Sequence, residues 1–140
     1  MDKRILVIDG QGGQLGSQII KELLAKLSCI QITAVGTNTA ATASMMKAGA
    51  TKAATGENPV IVACRKADII IGPVGIVIAD SLLGEVTPAM AAAVGQASAA
   101  RILIPMNKCE NMVAGVSSLS TTVLIQDAVS KVSQYINNAC

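Results

Sequence analysis

A doubly wound α/β fold is predicted, with a mostly parallel sheet of five to six strands and helices on both faces. Three observations lead there. Short branched apolar runs alternate with helical patterns along the chain. The first run, Ile5–Ile8, passes through a glycine-rich turn directly into an amphipathic helix. The apolar half of the composition (51%) is built from Ala, Val, Ile and Leu, with no Phe or Trp and one aromatic, Tyr135. Small and branched side chains suit a parallel sheet covered closely on both faces.

Taken in order, Ile5–Ile8 reads as a buried parallel strand. After the glycines, Leu15, Ile19, Leu23 and Leu27 recur every four residues, leaving Lys21, Glu22 and Lys26 for solvent. Ile30–Val35 is the second strand and ends at Gly36-Thr37-Asn38. Thr39 is expected to cap a helix running to about Ala48, which Gly49 stops. Thr51–Ala54 is a short third strand. Asn58-Pro59 reads as a helix start, with a capping side chain followed by proline at the first helical position, and that helix runs to Lys66. Ile69–Ile71 is the fourth strand; after Gly72-Pro73-Val74-Gly75 a helical stretch is expected to reach Leu83, ended by Gly84. Thr87-Pro88 starts another helix through about Ser98. Arg101–Ile104 is the fifth strand, Met112–Val116 an expected edge strand, and a last helix begins near Ser120 with Leu124, Ala128, Val132 and Ile136 as its buried stripe. The 140 residues make a single domain, 1–140, with a sizeable core.

Composition also excludes function classes. A net charge of +2 with no Lys/Arg cluster leaves no footprint for nucleic acid. The longest apolar run, Ile69–Ala79, is broken by Gly72-Pro73 and Gly75, whereas a membrane span needs about 20 residues. With no cationic leader before Ile5, a cytoplasmic protein without a membrane partner is expected. Cys29, Cys64, Cys109 and Cys140 are widely spaced and histidine is absent, so neither a metal site nor a disulfide framework is expected. Charged residues make up only 14%, which leaves apolar surface after folding and predicts a homo-oligomer.

In a doubly wound sheet ligands bind at the carboxyl ends of the strands. Five loops qualify: Gly10–Gly16, Gly36–Asn38, Thr55–Asn58, Gly72–Gly75 and Asn107–Glu110. The first is the strongest candidate. Gly10, Gln11, Gly12, Gly13 and Gly16 fail the usual GxGxxG spacing, because Leu15 takes the last position, but fit GxGxxxG or GxxGxxG. Backbone amides at a helix start there could hold a phosphate.

Two features argue against a plain NAD site. The ribose carboxylate is wanted about 20 positions on, at the end of the second strand, yet no Asp or Glu lies between Glu22 and Glu57. Thr37 and Asn38 could substitute, or tolerate the 2′-phosphate of NADP. Asp9 precedes the first glycine, and a carboxylate about 5 Å from a phosphate is repelled by roughly 3 kcal/mol at an effective dielectric near 20. Either Asp9 turns away to bond loop amides, or a cation such as Mg²⁺ lies between. A Walker loop is excluded for want of a Lys before Ser17.

At the other loops, Glu57 is a candidate ribose or substrate acceptor. Gly72, Pro73 and Gly75 could wall a ligand through their backbone, and Asn107 sits beside Lys108 and Cys109. The thiol of Cys109 could be activated by Lys108, but no histidine exists to pair with it.

IDGQGG (Ile8–Gly13), GTN (Gly36–Asn38), ATGEN (Ala54–Asn58), DIIIGPVGI (Asp68–Ile76), GEVTP (Gly84–Pro88) and ILIPMNKC (Ile102–Cys109) together resemble a family of small uncharacterised bacterial proteins with a Rossmann-like fold, a domain of unknown function. The resemblance implies the fold and the choice of loops, and no reaction. The GQGGQLG turn is also similar to phosphate-binding turns of nicotinamide-dependent reductases. The expected function is binding of a nucleotide or another phosphorylated small molecule at Gly10–Gly16. The rivals are an NADP(H)-dependent oxidoreductase completed by oligomerisation and a non-catalytic regulatory or assembly subunit.

Overall fold

The computed structural model describes residues 2–106, 111–116 and 119–138. Its strands are β1 (Lys3–Asp9), β2 (Ile30–Gly36), β3 (Lys52–Thr55), β4 (Ile69–Pro73) and β5 (Ala100–Ile104). Its helices are α1 (Gln14–Lys26), α2 (Thr39–Ala48), α3 (Glu57–Lys66), α4 (Pro88–Gln96) and α5 (Thr121–Asn138), with a short 3-10 turn at Val74–Val77. All strand pairs are parallel, in the order β3-β2-β1-β4-β5.

Alternation along the central strands divides the core into two layers. Ile5, Val7, Ile32, Ala34, Ile69 and Ile71 face one way and meet Ile19, Ile20 and Leu23 of α1, Met45 of α2, and Ala128, Val129 and Val132 of α5. Leu6, Ile8, Val35 and Ile70 face the other way and meet Val60 and Cys64 of α3 and Met90 and Val94 of α4. Runs such as Ile5–Ile8 and Ile69–Ile71 are continuously apolar because both faces are covered. Among the described residues no helix is long and apolar enough to cross a membrane.

Four expectations need correction. Asn38, not Thr39, caps α2: its Oδ1 accepts from the Ala41 amide at 2.9 Å. α3 starts at Glu57 with Gly56 as its cap (φ 110°), so Asn58 caps nothing and Pro59 sits in the first turn. Proline is tolerated there because first-turn amides have no intrahelical acceptor.

The helix expected to reach Leu83 stops after the single 3-10 turn. Asp80, Leu82, Leu83 and Gly84 all have φ between 57° and 86°, outside right-handed helix. Instead the segment closes on itself: the Asp80 amide donates to Val86 O at 2.7 Å and the Val86 amide to Ser81 O at 3.2 Å. The edge strand at Met112–Val116 does not form, leaving five strands among the described residues. Asn111 makes an isolated bridge, and Gly115 turns the chain at φ 85°. Thr87 caps α4 as its Thr-Pro pair predicts, accepting from the Met90 amide at 3.1 Å.

Gly72 shows how tightly the sheet constrains this sequence. A Cβ built on it runs into the carbonyl oxygen of Ile8 on the neighbouring strand, and lies 3.1 Å from Ile76 Cδ1. Backbone in a central strand cannot yield as a side chain can. Gly72→Ala is expected to destabilise by about 1–3 kcal/mol through overpacking, read as a lower urea midpoint with unchanged slope.

Candidate functional site

The chain winds from β1 outward to β2 and β3, then crosses back to β4 and β5 on the other side. The loops after β1 and β4 therefore part from each other and leave a crevice. A cavity of about 880 Å³ occupies it, lined by the Gly10–Leu15 turn, Pro73–Gly75, Ile78–Leu83 and, opposite, Met106, Asn111 and Thr121.

Asp9, at the end of β1, organises the turn. The residue is only 5% exposed. Its Oδ1 accepts from the Gly10 amide at 2.8 Å, and its Oδ2 from the Gly16 amide at 2.7 Å. The carboxylate is thus turned to the loop's own amides. Among the described residues, no group of three or more Cys, Asp or Glu could hold a metal ion. The turn closes with the Gly13 amide donating to Gly10 O at 2.9 Å.

The glycines differ in what demands them. Gly13 has φ 72°, and a Cβ there would lie 2.7 Å from Ala41 Cα. At Gly16 a Cβ would lie 2.5 Å from Met45 Sδ and 2.9 Å from Asp9 Cβ, so glycine lets α1 approach both β1 and α2. Gly12 is different. It lacks the left-handed conformation, and a Cβ built on it meets nothing within 4 Å. The amides of Gly12, Gln14 and Leu15 have no acceptor among the described residues, and α1 has neither a side-chain cap nor an acidic residue in its first turn. The start of this thirteen-residue helix faces the cavity, with the Asp9 carboxylate bonded to its Gly16 amide and the Gln14 and Leu15 amides left over.

The carboxylate sought near the end of β2 is present, but comes from elsewhere. Glu85, just before α4, places Oε1 2.6 Å from Thr37 Oγ1, 2.8 Å from the Gln11 amide and 2.8 Å from Asn38 Nδ2, accepting from all three. Asn38 Nδ2 also donates to Gln11 O at 2.9 Å, so one side chain caps α2 and ties down the glycine turn. Partial burial works against the charge on Glu85. The hydrogen bonds from Thr37, Gln11 and Asn38 outweigh it and hold the carboxyl below its ordinary range. Sequence reasoning missed Glu85 because it lies 48 residues beyond Thr37. Its only sequence signal was the Gly84–Pro88 segment, to which no role attached.

The candidate residues thus separate into groups. Asp9, Gly10, Gln11, Gly12, Gly13, Pro73 and Gly75 line the cavity. Thr37 and Asn38 join the turn through Glu85. Gly16 and Gly72 are buried packing positions behind it. Glu57 stands apart: its Oε1 accepts from Thr87 Oγ1 at 2.6 Å, linking the start of α3 to the cap of α4. Asn107, with Lys108, Cys109 and Glu110, lies outside the described residues, as does Cys140. Cys64 is a core residue whose thiol burial pushes up to about 11, and Cys29 is exposed.

The depressed carboxyls make stability pH-dependent. Glu85 is lowered from 4.5 by its hydrogen bonds, and Asp68 is lowered from 3.8 by the side-chain and backbone bonds of Arg4. As pH falls the unfolded chain takes up these protons first, so their contribution is complete above the ordinary values and is lost as pH drops through the folded ones. Thermal denaturation scanned across the acid range should show falling stability below about pH 4.5, with a shallower fall in Glu85→Gln.

Among curated proteins no match to the chain is found. Residues 4–137 match the family described as "Domain of unknown function (DUF3842)". The match spans the sheet, the glycine turn, Glu85 and nearly all of the last helix, so this chain belongs to the DUF3842 family.

Proposed function

We propose that this protein binds a nucleotide or another phosphorylated small molecule at the Gly10–Gly16 turn, in the crevice between β1 and β4. Gly12 carries the reading. Neither backbone conformation nor packing explains a glycine there, since its Cβ would project into open space. A ligand lying against the turn does explain it, because a side chain would take the ligand's place. The amides of Gly12, Gln14 and Leu15, which have no acceptor among the described residues, favour an anionic group at the start of α1. Glu85 weighs against the NADP(H) alternative, since it puts a carboxylate beside Thr37, where a 2′-phosphate would otherwise lie.

Binding is tested by calorimetry and thermal shift against NAD(H), NADP(H), ATP, ADP, AMP, FMN and inorganic phosphate. Gly12→Val should abolish the binding found while changing stability by no more than about 0.5 kcal/mol. Undiminished binding in that variant places the ligand elsewhere.

The proposed protein is a cytoplasmic homo-oligomer. Leu24 of α1 and Met46 of α2 are each nearly half exposed on neighbouring helices, and Val123 and Tyr135 of α5 are similarly open. Large apolar side chains left in water favour association between copies. Light scattering at micromolar concentration should return a mass above the 14.2 kDa chain; a monomeric mass refutes self-association.

A further inference from the structure

The glycine turn is open on one side and filled on the other. A Cβ on Gly10 would lie 2.5 Å from Thr37 Oγ1, 2.8 Å from Glu85 Oε1 and 2.9 Å from Leu82 Cδ1. Two residues on, a Cβ on Gly12 meets nothing within 4 Å. The cavity extends from Gly12 toward Pro73–Gly75 and Asn111, and Thr37, Asn38 and Glu85 are not among its lining residues.

A nucleotide lying across such a turn sets its phosphates at the helix start and its ribose at the end of the second strand, where a carboxylate receives the hydroxyls. Here the end of β2 is already engaged. Glu85 takes the Gln11 amide, Thr37 Oγ1 and Asn38 Nδ2 on a single oxygen, and the side chain of Leu82 closes over Gly10 beside it. The supporting loop is tied at both ends. The Asp80 amide donates to Val86 O, the Val86 amide donates to Ser81 O, and Ser81 Oγ donates to Gly75 O. Asp80, Leu82 and Leu83 adopt the left-handed region despite carrying a Cβ, a conformation that persists only where surrounding structure enforces it.

We propose that Glu85 is a specificity-determining residue: it and Leu82 occupy the ribose side of the turn, so the site takes a compact phosphorylated metabolite over Gly12 and disfavours nucleotides. This rests on the reading of the turn as a phosphate site. Glu85 serves as an internal anion for the Gln11 amide and Thr37, leaving the amides of Gly12, Gln14 and Leu15 to the ligand's phosphate. A ribose hydroxyl that takes Thr37 Oγ1 has to displace Glu85 Oε1 from that donor.

The test compares inorganic phosphate and glycerol phosphate with AMP and NAD⁺ on the full chain, by calorimetry and thermal shift. The two ribose-free probes should bind wild type at least as tightly as AMP and NAD⁺. Glu85→Ala should improve AMP by about tenfold or more while moving phosphate much less. AMP or NAD⁺ binding wild type about tenfold tighter than phosphate overturns the inference without needing a variant, and its loss in Glu85→Ala would make Glu85 a ribose acceptor instead. Should Glu85→Ala fail to fold, Leu82→Ala opens the same side and keeps the carboxylate; an AMP affinity unchanged there also counts against the inference. Nucleotide-preferring binding overturns only the selectivity. Absence of binding by every probe removes the phosphate site itself, and the selectivity with it.

Discussion

The carboxylate of Asp9 holds the glycine turn between β1 and α1 together. It stands where β1 ends and reaches both the first amide of the turn and an amide in the first turn of α1. A buried carboxylate between two amides satisfies donors that would otherwise be stranded, and charge-assisted bonds of this kind exceed neutral ones in strength. The intervening residues, Gln11–Leu15, are consequently held at the mouth of the crevice. Both carboxylate oxygens of Asp9 are bonded to backbone amides.

Small residues make that arrangement possible. The sheet and helices approach closely at Gly16, where α1 meets Asp9 and Met45, and at Gly72, where β4 meets the backbone of β1. Both glycines lie directly behind the cavity. Their requirement comes from packing, whereas a Cβ on Gly12 would meet nothing within 4 Å. Glycines that look equivalent in a motif therefore differ in what surrounds them: Gly13 and Gly16 are hemmed in, whereas Gly12 faces open space.

Glu85 gives the crevice its asymmetry. One carboxylate oxygen gathers donors from the β1 turn and the end of β2, so a loop from beyond β4 is fastened across the sheet's switch point. Its charge is favoured because three donors serve the ionised form despite partial burial. The same loop stays non-helical: Asp80, Leu82, Leu83 and Gly84 turn the chain back so that Glu85 can reach Thr37.

By itself the sequence determined the α/β class, the order of the elements and the turn that faces the crevice. Those features depend on local periodicity and capping: the four-residue stripe from Leu15, the unbroken Ile69–Ile71 run, and Thr87-Pro88 ahead of α4. It also placed Asp9, Gly12, Pro73 and Gly75 at strand ends, where they line the cavity, because connectivity in a doubly wound sheet dictates where strand ends meet. Only the tertiary structure decided how Asp9 points, which glycines are needed for packing, and that Glu57 secures a helix start away from the cavity. It alone brought Glu85 to Thr37 and Asn38. Residues separated by 47 and 48 positions carry no mutual periodicity, and the left-handed loop that delivers Glu85 is not encoded by local propensity.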